Sequence, residues 1–325
     1  MNKLRLIHKL LAGLVFTACA QILCAQTYPD KPITLVVPNP PGGLVDTSAR
    51  LLSEPLSRVI GQTVVVDNKP GASGNIAYQY VANAKPDGYT LLISYSGYHV
   101  GNPALMDKLP WDPIKDFSPI ALLTVSTNVI AVHPSVPVNN LKEFIAYAKA
   151  NPGKLNYASQ GNGSVSHIGT EMFKQTTGID MVHVPYKGSG PAIQDVLAGQ
   201  VQVFISTPPS LMQHVQSGKL KGLAVTGKNR HPGMPNVPTT AEAGLPSFQL
   251  ESWVALFAPA GTPAPVVSKL TASVKKSLSL PEIKERADAA GVELRYQNPA
   301  ATEALVKKEL PYWNKAIKSA NITLD

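Results

Sequence analysis

Short apolar runs alternate with amphipathic segments along the first third of the chain. Residues 33–37 and 63–66 are β-rich runs, and between them apolar residues recur every three or four positions from Val45 to Val59. That spacing places the apolar side chains on one helix face, and Gly61 is a natural helix stop. A second helical segment leads to a third run at 89–93. This order predicts parallel strands joined by crossover helices.

The same alternation restarts after Pro119. Apolar runs occur at 129–132, 155–158, 181–184, 201–205 and 220–225. Asn140, with Glu143 three residues later, forms a capping box that predicts a helix start. Near-continuous apolar runs are typical of strands whose sheet is covered on both faces. We therefore predict a second α/β unit.

The last hundred residues follow a different pattern. One apolar strand, 253–257, precedes a helix that opens at Thr262-Pro263 and two further helices. One strand and surface helices do not close a core, so we expect this tail to pack on the first unit. Lobe I would then comprise 26–125 plus 226–325, and lobe II 126–225. Two crossings, near 122–128 and 225–250, would form a hinge beside a cleft.

The N-terminus has the features of a secretory signal. Three basic residues precede a short apolar run, and small residues follow near Ala20 and Ala25. We predict a signal peptide over residues 1–25, cleaved after one of these alanines, because the run is too short to span a membrane. An alternative is a lipoprotein signal in which Cys19 carries the lipid, although Phe16 fits such a signal poorly. Export to the periplasm is therefore expected.

Charge and cysteine content narrow the function classes. The chain has 29 basic and 21 acidic residues, a net charge of +8, and removing three basic signal residues leaves 26 minus 21, or +5. The basic residues are scattered, which does not fit a nucleic-acid footprint. Both cysteines lie in the signal, so the mature protein must rely on its core for stability. We expect a monomer.

Two glycine-rich loops are the candidate anion-binding site. Residues 41–44 and 161–164 each leave a predicted strand and run into a helix, whose free N–H groups and positive dipole end favour an anion. Asp46 could accept bonds from loop amides or simply favour the helix dipole, and it cannot itself pair with an anion. His167 and Tyr186 are expected to support the site. The candidate ligand-binding residues are Gly42, Gly43, Leu44, Asp46, Tyr95, Ser96, Asn162, Gly163, Ser164, Ser166 and Thr207.

Enzyme motifs do not occur in the sequence. There is no Gly-x-Ser-x-Gly, His-Glu-x-x-His, paired-cysteine or Gly-x-Gly-x-x-Gly pattern. We therefore predict no catalytic residue, no metal and no cofactor. A hydrolase using Ser164 or Ser166 with His167 remains an alternative, since these residue types could form a nucleophile and base if they converge.

Several segments in order resemble one known family. They include Pro41-Gly42-Gly43 with Asp46, Pro86-Asp87-Gly88-Tyr89-Thr90, the run from His183 to Gly188, and the run from Ala258 to Pro263. Over nearly the whole mature chain the sequence resembles the solute-binding proteins of tripartite tricarboxylate transporters, also called the Bug family. The resemblance implies an α/β, two-lobed periplasmic binding protein of type II, with parallel-dominated sheets flanked by helices and two hinge crossings.

The same resemblance implies the ligand class and partners. Family members hold a small carboxylate between the two loops and deliver it to a membrane carrier. Asn39 and the stretches 95–100 and 206–209 depart from the usual family pattern. The ligand therefore stays open among a tricarboxylate, a dicarboxylate, an amino acid and an aromatic carboxylate such as terephthalate. A sensor protein that presents its ligand to a signalling system is an alternative role.

Overall fold

The computed structural model describes residues 28–319 and residue 322. The predicted signal peptide, its cleavage sites and Cys19 lie outside the described residues. Within the described part of the chain, no helix is both long and apolar enough to cross a membrane.

The described residues form eleven strands in two sheets. The strands are β1 (Ile33–Val37), β2 (Val64–Asn68), β3 (Thr90–Tyr95), β4 (Phe117–Thr127), β5 (Val129–Val132), β6 (Asn156–Ser159), β7 (Val182–Pro185), β8 (Val203–Ser206), β9 (Lys221–Val225), β10 (Glu251–Pro259) and β11 (Glu293–Gln297). Lobe I is built on the sheet β11-β4-β10-β3-β1-β2, and lobe II on the sheet β7-β6-β8-β5-β9. The predicted two-lobed α/β fold is confirmed.

Ten α-helices cover these sheets within the described residues. They are α1 (Leu44–Ile60), α2 (Asn75–Ala82), α3 (Asn102–Leu105), α4 (Leu141–Ala150), α5 (Val165–Thr177), α6 (Ser189–Leu197), α7 (Pro208–Gln216), α8 (Ala264–Leu278), α9 (Pro281–Ala290) and α10 (Pro299–Ser319). In α1, the predicted apolar face is buried through Leu52 and Leu56, and the helix ends at Gly61 with φ 79°. The Asn140 side chain caps α4 by accepting from the Glu143 amide.

The sheets are mixed, and this corrects the expectation that parallel pairing dominates. In lobe I, β1 pairs in parallel with β2 and β3, as predicted. β10, however, runs antiparallel to both β3 and β4, and β11 runs antiparallel to β4. In lobe II, β5 is antiparallel to β8 and β9. The reason is that β4, β5 and β10 adjoin the lobe crossings, where no crossover helix has to return the chain in the same direction.

The two crossings are bonded to each other. The first is Asn128, between β4 and β5, and the second includes Thr226 and Leu250. The Asn128 amide donates to Thr226 Oγ1 at 2.9 Å, and the Thr226 amide donates to the Asn128 carbonyl at 2.9 Å. Asn128 Nδ2 also donates to the Leu250 carbonyl at 3.2 Å. The crossings therefore form one compact hinge.

The segment between Thr226 and Leu250 does not join lobe I, contrary to the predicted division. The Val225 amide donates to the Pro238 carbonyl, and the Thr240 amide donates to the Val225 carbonyl. Met234 and Val237 are buried in the apolar core of lobe II. The exposed edge of β9 explains this, because a returning loop can satisfy the unpaired backbone groups of that strand.

Candidate ligand-binding site

The cleft lies where strand ends of both lobes face each other. Ser73, in the turn before α2, donates from Oγ to the Asn162 carbonyl of lobe II at 2.8 Å. A Cβ placed on Gly188 of lobe II would lie 2.9 Å from Pro40 of lobe I. The carboxyl ends of strands in open α/β sheets are the usual place for ligands. The structure therefore shows the lobes closed over the two predicted loops.

The lobe I loop leaves a helix start without a side-chain cap. Gly43 is the N-cap of α1 in an extended conformation and, being glycine, has no side chain to cap the first turn. Gly42 has φ +98°, which an L side chain rarely adopts. A Cβ on Gly43 would lie only 3.0 Å from the Ser189 hydroxyl oxygen across the cleft. The close approach of the lobes here depends on glycine at this position.

Asp46 holds the lobe I loop in place through hydrogen bonds. Its carboxylate, in a residue only 4% exposed, accepts from the Gly42 amide at 3.1 Å and from Asn68 Nδ2 at 3.0 Å. Arg50 Nε donates to both carboxylate oxygens, at 3.1 and 3.0 Å. These bonds raise the pKa of Arg50 and offset the negative charge of Asp46. Asp46 thus supports the loop, the first of the two roles its position suggested.

The lobe II loop is held by serine hydroxyls. Ser164 is the N-cap of α5; its Oγ donates to the Gly161 carbonyl at 2.6 Å and accepts from the His167 amide at 3.3 Å. Ser166 Oγ accepts from the Gln160 amide at 2.9 Å and lies 2.9 Å from Ser164 Oγ. Both serines are buried. Their hydroxyls fix the loop backbone and so set the direction of its amides.

His167 and Tyr186 lie where supporting residues would. His167 Nδ1 accepts from the Gly163 amide at 3.2 Å, and its ring stacks on His183 with centroids 4.2 Å apart. Tyr186 donates to Asp195 at 2.7 Å. His167 Nδ1 is thus engaged by a loop amide, and Tyr186 is engaged within lobe II, as expected of supporting residues.

Tyr95 and Ser96, both candidate ligand-binding residues, have different surroundings in the structure. Ser96 Oγ accepts from the Trp253 amide at 3.2 Å, so this candidate binds β10 instead of facing the cleft. Burial raises the pKa of Tyr95, whose ring packs edge-on against Tyr98. Two residues further on, Gly97 approaches the start of α5 across the cleft, since a Cβ there would lie 2.8 Å from the Val165 amide nitrogen. Leu44 is buried in the first turn of α1.

Five buried side-chain polar atoms have no hydrogen-bond partner among the described residues: Asn39 Oδ1, Asn102 Oδ1, Thr207 Oγ1, Ser210 Oγ and Ser252 Oγ. Two of them lie in segments that depart from the usual family pattern: Asn39, in lobe I, and Thr207, at the start of α7 in lobe II. Asn39 is 6% exposed and Thr207 is 1% exposed. Unpaired buried polar groups are rare in native proteins and call for a specific explanation.

Sequence reasoning missed three residues at this interface. Asn39 stood out as a departure from the family pattern without being assigned a role. Ser73 has a positive φ of 53°, and its contact with Asn162 spans 89 positions, so no local pattern indicates it. Ser189 lies between Gly188 and Gly190 at the start of α6, and no local pattern indicates that its hydroxyl faces Gly43 of lobe I.

Replacing Ser73 with alanine is expected to weaken binding of every ligand by the same factor. The change removes one bond between the lobes, worth about 0.5–1.5 kcal/mol, or roughly two- to tenfold in affinity. The measurement is the dissociation rate of at least two ligands. A loss confined to one ligand would contradict a role in closure.

Comparison with known proteins identifies the family. Residues 48–322 match the tripartite tricarboxylate transporter family receptor. Protein BugT of Bordetella pertussis is 34% identical over 325 residues, covering 100% of both chains. This chain belongs to the tripartite tricarboxylate transporter receptor family, the Bug family of solute-binding proteins.

Two solved structures are similar in fold and sequence. An R. palustris protein with adipate is 36% identical, with a TM-score of 0.88 over 91% of this chain and 99% of the other. MatC from Rhodopseudomonas palustris, with bound malate, is 35% identical, with a TM-score of 0.84 over 89% and 100%. Both of these relatives hold small dicarboxylates.

Proposed function

We propose that this protein binds a small dicarboxylate between its lobes, in the periplasm, and delivers it unchanged to a membrane carrier. One observation carries the proposal. The glycine loop of lobe I meets the turn at Gly188 and Ser189 of lobe II across a closed cleft, and the start of α1 there has no side-chain cap. Free helix amides and the positive dipole end attract a carboxylate without a lysine or arginine.

The other contacts support binding over catalysis. The hydroxyls of Ser164 and Ser166 are engaged by loop groups, and the Asp46 carboxylate is engaged by Arg50, Asn68 and the Gly42 amide. Together with His167, these side chains engage the Gly42, Gly163 and His167 amides and hold both loops in place, so the amides left for the ligand are those at the uncapped start of α1. Adipate and malate in two relatives are consistent with a ligand carrying two carboxylates.

Saturating dicarboxylate is expected to raise the free energy of unfolding. At a hundred times its dissociation constant, a ligand that binds only the folded protein contributes about 2.7 kcal/mol. Thermal unfolding with adipate, malate, succinate and terephthalate measures this effect. The uncharged diamide of the best ligand is the control and should give no shift. Equal shifts with acid and diamide, or no saturable shift with any acid, would refute the proposal.

A further inference from the structure

The ring of His183 packs against a histidine that holds the lobe II loop. It stacks on His167 with ring centroids 4.2 Å apart and planes inclined by 6°. His167 Nδ1 in turn accepts from the Gly163 amide at 3.2 Å. His183 lies on β7 opposite Tyr157 of β6, and these two rings also stack, with centroids 4.8 Å apart. Packing on His183 therefore orients the His167 ring and, with it, the bond to Gly163.

A chain of hydrogen bonds connects His183 with a second amide of the same loop. Its Nε2 lies 2.7 Å from Ser159 Oγ, and that hydroxyl oxygen accepts from the Gly161 amide at 3.1 Å. The strand register brings these groups together, because Ser159 follows Tyr157 by two residues on β6 and both side chains share a sheet face with His183. His183 therefore supports the loop through Gly161 as well as through Gly163.

The residue between the two supported amides contacts the other lobe. The carbonyl of Asn162 accepts from Ser73 Oγ of lobe I at 2.8 Å. This carbonyl and the Gly163 amide belong to one planar trans peptide unit, in which the C=O and N–H groups point in opposite directions. The bond from the Gly163 amide to His167 therefore fixes the direction in which the Asn162 carbonyl points.

Resting on the proposed function, we infer that His183 is a positioning residue for closure of the lobes on the ligand. It holds the peptide unit between Asn162 and Gly163 in the direction that presents its carbonyl to Ser73. Gly163 has φ +75°, and glycine offers little steric resistance to rotation of this peptide unit once its amide is released. Loss of the His183 ring then weakens the contact between the lobes and leaves the proposed carboxylate site of lobe I intact.

A double-mutant cycle of His183→Ala and Ser73→Ala tests this role through the dissociation rates of adipate and malate. Each single variant should release a bound acid roughly two- to tenfold faster than the wild-type protein, because each weakens the same bond between the lobes. For that reason His183→Ala should add little in the Ser73→Ala background. Effects that multiply in the double variant would show that the two residues act independently and would overturn the inference.

Hydrogen exchange in the ligand-free protein, followed by NMR, tests the support of the loop itself. His183→Ala should speed exchange of the Gly161 and Gly163 amides severalfold. The Gly178 amide at the far end of α5, which donates to the Lys174 carbonyl at 2.8 Å, should exchange at the wild-type rate. Unchanged exchange at both loop amides, or an equal increase at Gly178, would mean that His183 only stabilises lobe II as a whole.

Tyr157→Phe is the matched control. It removes the bond from the Tyr157 hydroxyl to Glu171 but keeps the ring that stacks on His183, so neither the dissociation rates nor the loop exchange should change. If His183→Ala does not fold, Ser159→Ala takes its place in the cycle, because it removes the hydroxyl between His183 and the loop. Binding with independent effects removes this inference alone, whereas binding of neither acid removes the proposed function and the closure role together.

Discussion

Alanine at position 43 is expected to lower ligand affinity by about 5- to 150-fold without changing the stability of the open protein. Gly43 has φ −109° and ψ −178°, an extended conformation open to any residue. In the closed form, however, the new Cβ would lie 3.0 Å from Ser189 Oγ of lobe II. Overpacking of this kind typically costs about 1–3 kcal/mol, and here the cost falls on closure alone. Titration calorimetry measures the affinity, and thermal unfolding without ligand measures the stability.

A second substitution shows whether the effect is a clash between lobes. Ser189→Ala removes Oγ, and the next atom lies 3.8 Å from the new Cβ, an ordinary contact. The double variant should therefore regain most of the lost affinity, and the double-mutant cycle isolates this contact. Gly61→Ala is the matched control: its φ of 79° predicts lower stability, while its location at the end of α1 predicts unchanged affinity. An undiminished affinity in Gly43→Ala would remove this loop from the closing interface.

Local sequence patterns predicted most helices and strands, whereas strand direction and strand pairing depend on long-range contacts. The apolar face of α1, the cap at Asn140 and the three parallel strands of lobe I follow from spacings within a few residues. The direction of β10 and the pairing of residues 238–240 with β9 depend on partners far along the chain. Strand β11 is a local signal that was missed: its five residues, Glu293–Gln297, alternate polar and apolar side chains as a partly buried strand does, but they lie between two helical segments.

In the candidate site, too, the sequence predicts local backbone features but not the direction of polar side chains. Glycine loops before helices are visible in the sequence, because the backbone conformation they permit is a local property. The direction of a polar side chain is not local. Ser96 follows a strand end like a ligand-facing residue, yet its hydroxyl accepts from Trp253, 157 positions away. Only the folded chain shows which side chains scaffold the loops and which remain unpaired.

The proposed anion site contains an aspartate whose charge is offset by its own hydrogen-bond partners. A fixed negative charge beside a carboxylate would repel it, but Arg50 donates to both oxygens of Asp46 and offsets the charge. The Gly42 amide and Asn68 complete the carboxylate's bonding. The aspartate thereby orders the loop that leads into the uncapped start of α1.

The free energy of unfolding is expected to fall by about 3 kcal/mol through His99 as the pH drops from 7 to 4. Burial lowers the pKa of His99 to about 4, against an ordinary value of 6.5. Its ring lies between Ser94 and the Pro113 carbonyl, with Nδ1 accepting at 2.9 Å and Nε2 donating at 3.0 Å. The neutral ring is therefore the form that the fold holds. Because the unfolded chain binds the proton more readily, the stabilisation is complete above pH 6.5 and is lost as the pH falls towards 4.

Denaturant titrations at several pH values, followed by tryptophan fluorescence, measure this dependence. Trp111 and Trp253 lie 6.0 and 6.1 Å from the His99 ring, so their emission reports the unfolding of this region. In His99→Gln the slope of unfolding free energy against pH should flatten between pH 6.5 and 4, even if the variant is less stable overall. Burial also lowers the pKa of His231, so His231→Gln is the control for its smaller share of the slope. An equally steep slope in His99→Gln would mean that His99 does not titrate on unfolding, and that other groups carry the acid sensitivity of lobe I.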